Sequence, residues 1–299
     1  MELIAASRIV KAQQRVRAAQ PYSEQITAVV RDLAAAGGDV QSPLLRSRPD
    51  ARRTGIIVVT ADRGMCGGYN ANVIRATEGE IREIALRGEE YALVVVGRKA
   101  DNYFRFRGFK IDAAFTGFSE NPSYEDARTV ADRTVDMFLA GEIDRVEIVY
   151  TRFVSAGTQE VVKRPLVPLD SELLQGGDGL PEGAAAGYEF EPDPGSILET
   201  LLPRYVEARM YAALLNAAAS EQASRQRAMK AATDNAEELI TNLTRVMNRA
   251  RQDSITTEIM EIVSGAEALS SDKGHQTTLA SIEPPAARIG HREVAAESL

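Results

Sequence analysis

Met229-Lys-Ala-Ala-Thr-Asp-Asn-Ala236-Glu-Glu-Leu239-Ile-Thr-Asn-Leu243-Thr-Arg-Val246-Met-Asn-Arg-Ala250 lies inside the stretch that decides the fold, Glu199 to Leu269. After Pro203 the stretch runs about 65 residues to its end at Leu269 with no further proline, and the next glycine is Gly265. Ala, Glu, Gln, Arg and Met dominate, residues that lose little side-chain freedom in a helix. One helix here would span roughly 100 Å at 1.5 Å per residue, too long to bury in a single globule. Ala232, Ala236, Leu239, Leu243, Val246 and Ala250 step by four and three, the rhythm of a coiled-coil seam. Ile255, Ile259, Ile262 and Ala266 resume it after a five-residue step across the polar patch Arg251-Gln252-Asp253-Ser254. The bland reading is a stalk, and a stalk needs a partner helix.

Met1 to Ala36 supplies that partner. Leu3, Ala6, Val10, Gln13 and Val16 make the expected stripe, with Arg8, Lys11, Arg15 and Arg17 on other faces. Pro21 predicts a kink or a short break, because proline removes a donor and clashes one turn back. The pattern resumes through Ile26, Val29, Val30 and Leu33 and stops at Gly37-Gly38.

Between the two helices the pattern changes class. Gly55 to Thr60 and Tyr91 to Val96 are continuous apolar, β-branched runs, the mark of strands buried on both faces. Helices are expected at Asn72–Leu86, Lys99–Phe106 and Tyr124–Leu139. Further strands are expected at Lys110–Phe115 and Arg145–Phe153, and an antiparallel edge strand at Gln159–Leu169. Such alternation predicts an α/β domain with a parallel sheet covered on both faces. The fold class is therefore α/β: an antiparallel coiled coil of terminal helices with an inserted Rossmann-like domain. The expected segments are a shaft helix over 1–38, a linker over 39–53, the α/β domain over 54–169, an acidic Gly-rich loop over 170–194, the long shaft helix over 195–269 and a disordered tail over 270–299.

Composition narrows the function classes. A net charge of -8 argues against a general nucleic-acid binder. No apolar run is long enough for a membrane span and no signal peptide opens the chain, which reads as intracellular and able to dock on a membrane complex. A single cysteine, Cys66, excludes an internal disulfide framework and a cysteine-based zinc site. Both histidines, His275 and His291, fall in the expected tail, and no serine or cysteine has a spaced base, so hydrolytic chemistry has no support. Charge is uneven: residues 1–53 hold nine Lys/Arg against five Asp/Glu, and Pro165 to Pro203 holds eight acids and no base.

One short motif stands out, Thr60-Ala-Asp-Arg-Gly-Met-Cys-Gly-Gly-Tyr-Asn70, between the first strand and its helix. A glycine-rich turn there reads either as a phosphate site at a helix start or as a tight structural turn. Its G-x-x-G-G spacing matches neither the dinucleotide fingerprint nor the P-loop, and no lysine follows. Cys66 reads as a reactive thiol or as a small, partly buried residue of the turn. Asp62 and Arg63 are candidates for a local ion pair.

At Asp62-Arg-Gly-Met-Cys-Gly-Gly-Tyr-Asn70 the chain resembles the γ subunit of rotary F-type ATP synthases. Glu2-Leu-Ile-Ala-Ala-Ser-Arg, Ala217-Ala-Ala-Ser-Glu221, Met229 to Ala236, Asn248-Arg-Ala-Arg-Gln-Asp-Ser-Ile-Thr-Thr-Glu258 and Glu261-Ile-Val-Ser-Gly-Ala266 extend the resemblance over residues 1–269. Phe190-Glu-Pro-Asp-Pro194 resembles actinobacterial members. The resemblance implies a non-catalytic central rotor without a cofactor. Its implied partners are the α and β subunits of the catalytic hexamer, the ε subunit and the membrane c-ring. Its implied place is peripheral, on the cytoplasmic side of the plasma membrane. It also implies that Arg251, Gln252 and Thr256 bond to a β-subunit loop. Relative to the family the first helix starts some twenty residues late, so Met1 is expected level with Asn248 to Ile259. Deleting Gln175 to Ala186 from the acidic loop is expected to leave assembly intact. Two other readings stand beside this one: a nucleotide-binding α/β domain with a coiled-coil oligomerisation arm, and a plain coiled-coil scaffold.

Overall fold

The computed structural model describes residues 2–36, 42–45, 48, 51–169 and 194–271. The expectations for the acidic loop, for the tail beyond Ser271 and for much of the 39–53 linker therefore lie outside the described residues. The chain divides into two compact units, Met1–Ala236 and Glu237–Leu299.

The first unit is built on a five-stranded sheet in the order β3-β2-β1-β4-β5. Strands β1 (Arg53–Val59), β2 (Glu90–Val96), β3 (Ala113–Phe115) and β4 (Arg145–Phe153) run parallel. Edge strand β5 (Gln159–Val167) pairs antiparallel with β4, as the alternation predicted. The third strand is shorter than expected: ladder pairing begins at Ala113, and before it Asp112 meets Leu93 of β2 through its amide at 2.9 Å and its carboxylate at 3.0 Å. Helices α2 (Tyr69–Leu86) and α3 (Arg98–Phe106) cover one face, packing on Ile56, Val58, Leu93, Val95 and Val149. The other face carries Ile57, Val59, Val94, Val96, Ile148 and Tyr150. It lies in one core with α1 (Glu2–Ala36), α4 (Tyr124–Leu139) and the start of α5 (Pro194–Ser271). Successive side chains of a strand point to opposite faces, so a continuous apolar run here supplies both cores. Helix α4 starts on a reciprocal cap: the Asp126 amide donates to the Ser123 hydroxyl at 3.1 Å, and the Ser123 amide donates to the Asp126 carboxylate at 2.8 Å.

Three expectations about α1 need correction. Of the kink or short break expected at Pro21, the break does not form and the helix continues through it. One lost backbone bond is offset where the next turns bury Ile26, Val30 and Leu33 in the main core. The face turned inward is also different. Ala5 and Ile9 are buried, whereas Leu3 is 85% and Val10 is 54% exposed. Residues 3–6 and 9–10 are nearly all apolar, so two neighbouring stripes fit the 3.6 period and the contacts choose between them. The register differs as well. Ile4, Ala5 and Arg8 line one cleft with Gln222, Arg225 and Met229, and Arg15 lines another with Leu215 and Ala218. Val16 and Ser23 line a third with Ala212 and Asn216, so the helices are antiparallel. The start of α1 is thus level with Gln222 to Met229 and not with Asn248 to Ile259. With Leu33 in one core with Leu198 and Leu202, helices of equal rise bring residues about 30 apart into step.

The second unit is helical from Glu237 to Ser271, and its residues from Glu237 to Leu269 are exposed. Leu239, Leu243, Val246, Ile255, Ile259 and Ile262 are from 44% to 71% exposed, so the seam read from the sequence is uncovered in the isolated chain.

Candidate functional site: the glycine-rich turn on the last helix

The turn after β1 is a junction between loops. Asp62 accepts from the amides of Arg98 at 3.0 Å, Gly117 at 2.9 Å and Ser119 at 3.0 Å, while its own amide donates to the Ser119 hydroxyl at 2.8 Å. One carboxylate therefore ties the ends of three parallel strands together. Burial pushes its pKa up, but the amides of Ser119, Gly117 and Arg98 outweigh that and hold it below the ordinary carboxylate value. Gly97 (φ 99°) closes the same region: a Cβ there would meet the Thr60 carbonyl oxygen at 2.2 Å. Only glycine lets the two backbones approach so closely.

Further along, the turn is spent on packing. The Ala61 amide donates to the Asn70 side chain at 2.9 Å, and the Tyr69 amide to the Cys66 carbonyl at 3.2 Å. Met65 (φ 60°) and Gly67 (φ 56°) bend the chain against α5. There the Ser224 hydroxyl donates to the Cys66 carbonyl at 2.7 Å, and the Arg225 guanidinium to the Gly64 carbonyl at 3.4 Å. A Cβ on Gly67 would be 3.6 Å from Ala228. The amides of Ala61, Asp62 and Tyr69 and the carbonyls of Gly64 and Cys66 are spent on contacts within the fold, and the turn is packed against α5, which favours the structural-turn alternative. Cys66 is buried, and burial followed by the nearby Glu221 pushes its thiol pKa up, opposite to the direction that makes a thiol reactive.

The Asp62–Arg63 pair does not form. Asp62 is consumed by backbone donors, and Arg63 turns to Glu120 at 3.5 Å. Glu120 also receives Arg8 of α1 at 2.5 Å and Arg225 of α5 at 4.0 Å. Arg225 in addition pairs with Glu221 at 2.7 Å. Glu221 is 1% exposed, and burial lifts its carboxyl to about 7 although Arg225 pulls the other way. Arg15 donates to the Asn121 side chain and to the Pro122 carbonyl. The arrangement is a clamp in which α1, the β1–α2 turn and α5 are joined through one loop, residues 117–122. Glu120, Ser119, Asn70, Ser224 and Arg225 were missed by sequence reasoning. Only Asn70 carried a signal, as the last residue of the motif.

Arg251, Gln252 and Thr256 belong to the second unit and are exposed. The Thr256 hydroxyl donates to the Gln252 carbonyl at 2.9 Å, within the helix. The side chains of Arg251 and Gln252 have no bonding partner among the described residues. With Asp253 and Ser254 they make up the polar patch spanned by the five-residue step from Ala250 to Ile255, which displaces the apolar stripe.

Comparison with known proteins gives a consistent result. A family model described as ATP synthase matches residues 1–269. The ATP synthase gamma chain of Frankia casuarinae is 52% identical over 276 residues, covering 91% of this chain and 91% of the relative. That of Mycolicibacterium smegmatis is 48% identical over 286 residues, covering 91% and 92%. Among solved structures, a chain of the Tetrahymena thermophila mitochondrial ATP synthase central stalk and c-ring has a TM-score of 0.56 at 23% identity, covering 78% of this chain and 97% of that one. A chain of the Euglena gracilis mitochondrial ATP synthase has a TM-score of 0.57 at 18% identity, covering 93% and 100%. At these identities the two structures speak to the fold alone.

Proposed function

Since the chain belongs to the ATP synthase gamma chain family, matched over residues 1–269, we propose that it is the central rotor of a proton-driven ATP synthase. In this reading the α/β domain meets the ε subunit and the c-ring, and the exposed seam of the second unit turns inside the hexamer of α and β subunits. ATP chemistry belongs to the β subunits. The chain contributes asymmetry: a shaft whose side chains differ around its circumference makes different contacts with three chemically identical sites, and only differential contact free energy can bias their conformations. The place of work is the cytoplasmic side of the plasma membrane, peripheral and held through the complex; no helix among the described residues is long and apolar enough to cross a membrane.

The observation that carries this reading is the identity over nearly the whole chain, joined to an apolar stripe with no cover of its own. The nucleotide-binding alternative is disfavoured by the turn at Asp62–Asn70, which packs on α5 through its Gly64 and Cys66 carbonyls and carries no lysine. The scaffold alternative is disfavoured by a complete five-stranded domain between the helices.

Arg251, Gln252 and Thr256 are proposed to hold a β-subunit loop. Two unpaired polar side chains one residue apart, on an otherwise apolar stripe, supply donors for a charge-assisted bond. Such bonds contribute about 1.5–3 kcal/mol each in a partly dry site. Replacing Arg251 and Gln252 together by alanine is expected to lower ATPase turnover or the yield of complex while the far-ultraviolet circular dichroism of the chain is kept. Unchanged turnover and yield would refute the assignment.

A further inference from the structure

A second feature lies further along α1 from the clamp, at Ser23. Where β4 and β5 pass beneath α1 and α5, Ser23, Tyr150, Arg152, Arg164, Arg209 and Asn216 line a cleft of about 180 Å³. A neighbouring cleft of about 320 Å³ shares Ser23, Arg152 and Asn216 with it, so the two form one groove. Three guanidiniums face the first cleft and no carboxylate lines it; Glu24 lines the second, where the Gln20 side chain donates to it at 2.7 Å.

The three arginines are not equivalent. Arg152 is fixed at one end by Glu160, at 2.8 Å, which leaves its Nε buried without a hydrogen-bond partner. An unfilled buried donor of this kind costs about 1–3 kcal/mol, which a bound acceptor recovers. Arg164 and Arg209 have no ion-pair partner among the described residues. Arg209 lies over the Tyr205 ring, 5.8 Å from its centroid, and that contact restrains its guanidinium. Arg164 is held by the register of the sheet, opposite Ile148, on the same face as Tyr150. Its neighbour Lys163 belongs to the other face, where it pairs with Glu80 at 2.6 Å. Three half-buried guanidiniums, two of them without counter-charge among the described residues, line a concavity that also offers the hydroxyls of Ser23 and Tyr150.

We propose that this groove is a binding site for a phosphate oxyanion. The planar fork of arginine fits phosphate through two parallel bonds, and the half-buried setting screens the attraction less than open solvent does. Ser23 and Tyr150 add neutral hydroxyls at its walls, while the Asn216 side chain is tied to the Ala212 carbonyl and the Phe153 amide. The site is independent of the rotor reading, because binding to the isolated full chain needs no catalytic subunit.

The test is equilibrium binding to the purified full chain by titration calorimetry. Orthophosphate, pyrophosphate and ADP are the probes, with vesicles of an anionic phospholipid as a fourth arm. One saturable site is expected for orthophosphate or pyrophosphate, weakening as salt is raised. Arg164→Gln and Arg209→Gln should each weaken it about tenfold or more, the loss of one charge-assisted bond. Arg105→Gln, on the exposed part of α3, should leave it unchanged, and unaltered melting temperatures show that the variants fold. Preference for ADP or for vesicles, sensitive to the same two arginines, would place the phosphate on a nucleotide or a lipid headgroup. No saturable uptake of any probe, or equal affinity in all variants, would overturn the proposal.

Discussion

Asp62→Ala should loosen the whole end of the sheet. The substitution removes the acceptor for the Arg98, Gly117 and Ser119 amides and leaves the Ser119 hydroxyl on the Asp62 amide. A bond to a charged group contributes about 1.5–3 kcal/mol, but three do not simply add here. The bonds from Arg98 and Gly117 lie at the surface, where water takes over as acceptor; the Ser119 bond is part-buried. The expected loss is therefore about 1.5–3 kcal/mol in total. At 2–4 °C per kcal/mol for a unit of this size, the melting temperature should fall by about 3–12 °C. The assay is thermal unfolding of the full chain by circular dichroism, repeated across pH. Because the folded carboxyl has a pKa below 3.8, its contribution is complete above that value and is lost as pH falls through the folded pKa. The gap between parent and variant should thus be constant from pH 7 to about pH 5 and shrink in stronger acid. A gap under about 1 °C at pH 7, or one that persists unchanged in acid, would refute the reasoning.

Two further outcomes follow from the same region. Gly97→Ala should destabilise severely, since its Cβ would meet the Thr60 carbonyl oxygen at 2.2 Å in a left-handed conformation, and recovery of an unaltered melting temperature would contradict the geometry. Glu221→Gln should flatten the pH dependence of stability. The folded carboxyl titrates near 7 and the unfolded one near 4.5, so the folded chain keeps a proton that the unfolded chain has released, and stability falls as pH rises through that window. Urea unfolding at pH 5 and pH 7.5 should show this fall in the parent and not in the variant.

Strand runs such as Gly55 to Thr60 were legible because a strand buried on both faces has no room for polar residues. The five-residue step at Arg251 was equally plain. The inward face of α1 was not, because an alanine-rich helix offers more than one stripe and its partner alone decides between them. Nor was the hairpin register, which is fixed by where Leu33 meets the core and not by either helix's own pattern. The clamp was the least legible part. Arg8 and Glu120 are 112 positions apart, and Ser224 and Cys66 are 158 apart. No local periodicity records a pairing at that distance, and an arginine on a helix reads as solvated until its counter-ion is placed.

Glu120 serves three arginines that reach it from different depths. The side chains of Arg63, Arg8 and Arg225 are 65%, 45% and 10% exposed. Loss of the outermost leaves water and two neighbours to neutralise the carboxylate, whereas loss of the innermost strands Glu221 as well. Tolerance to substitution should therefore be graded along this small cluster, with Arg63 freest to drift, Arg8 next and Arg225 most constrained. A neutral residue at Glu120 would leave Arg225 its bond to Glu221 but take from Arg8 and Arg63 the one carboxylate they pair with among the described residues, setting cations against one another across the junction of two helices and a turn.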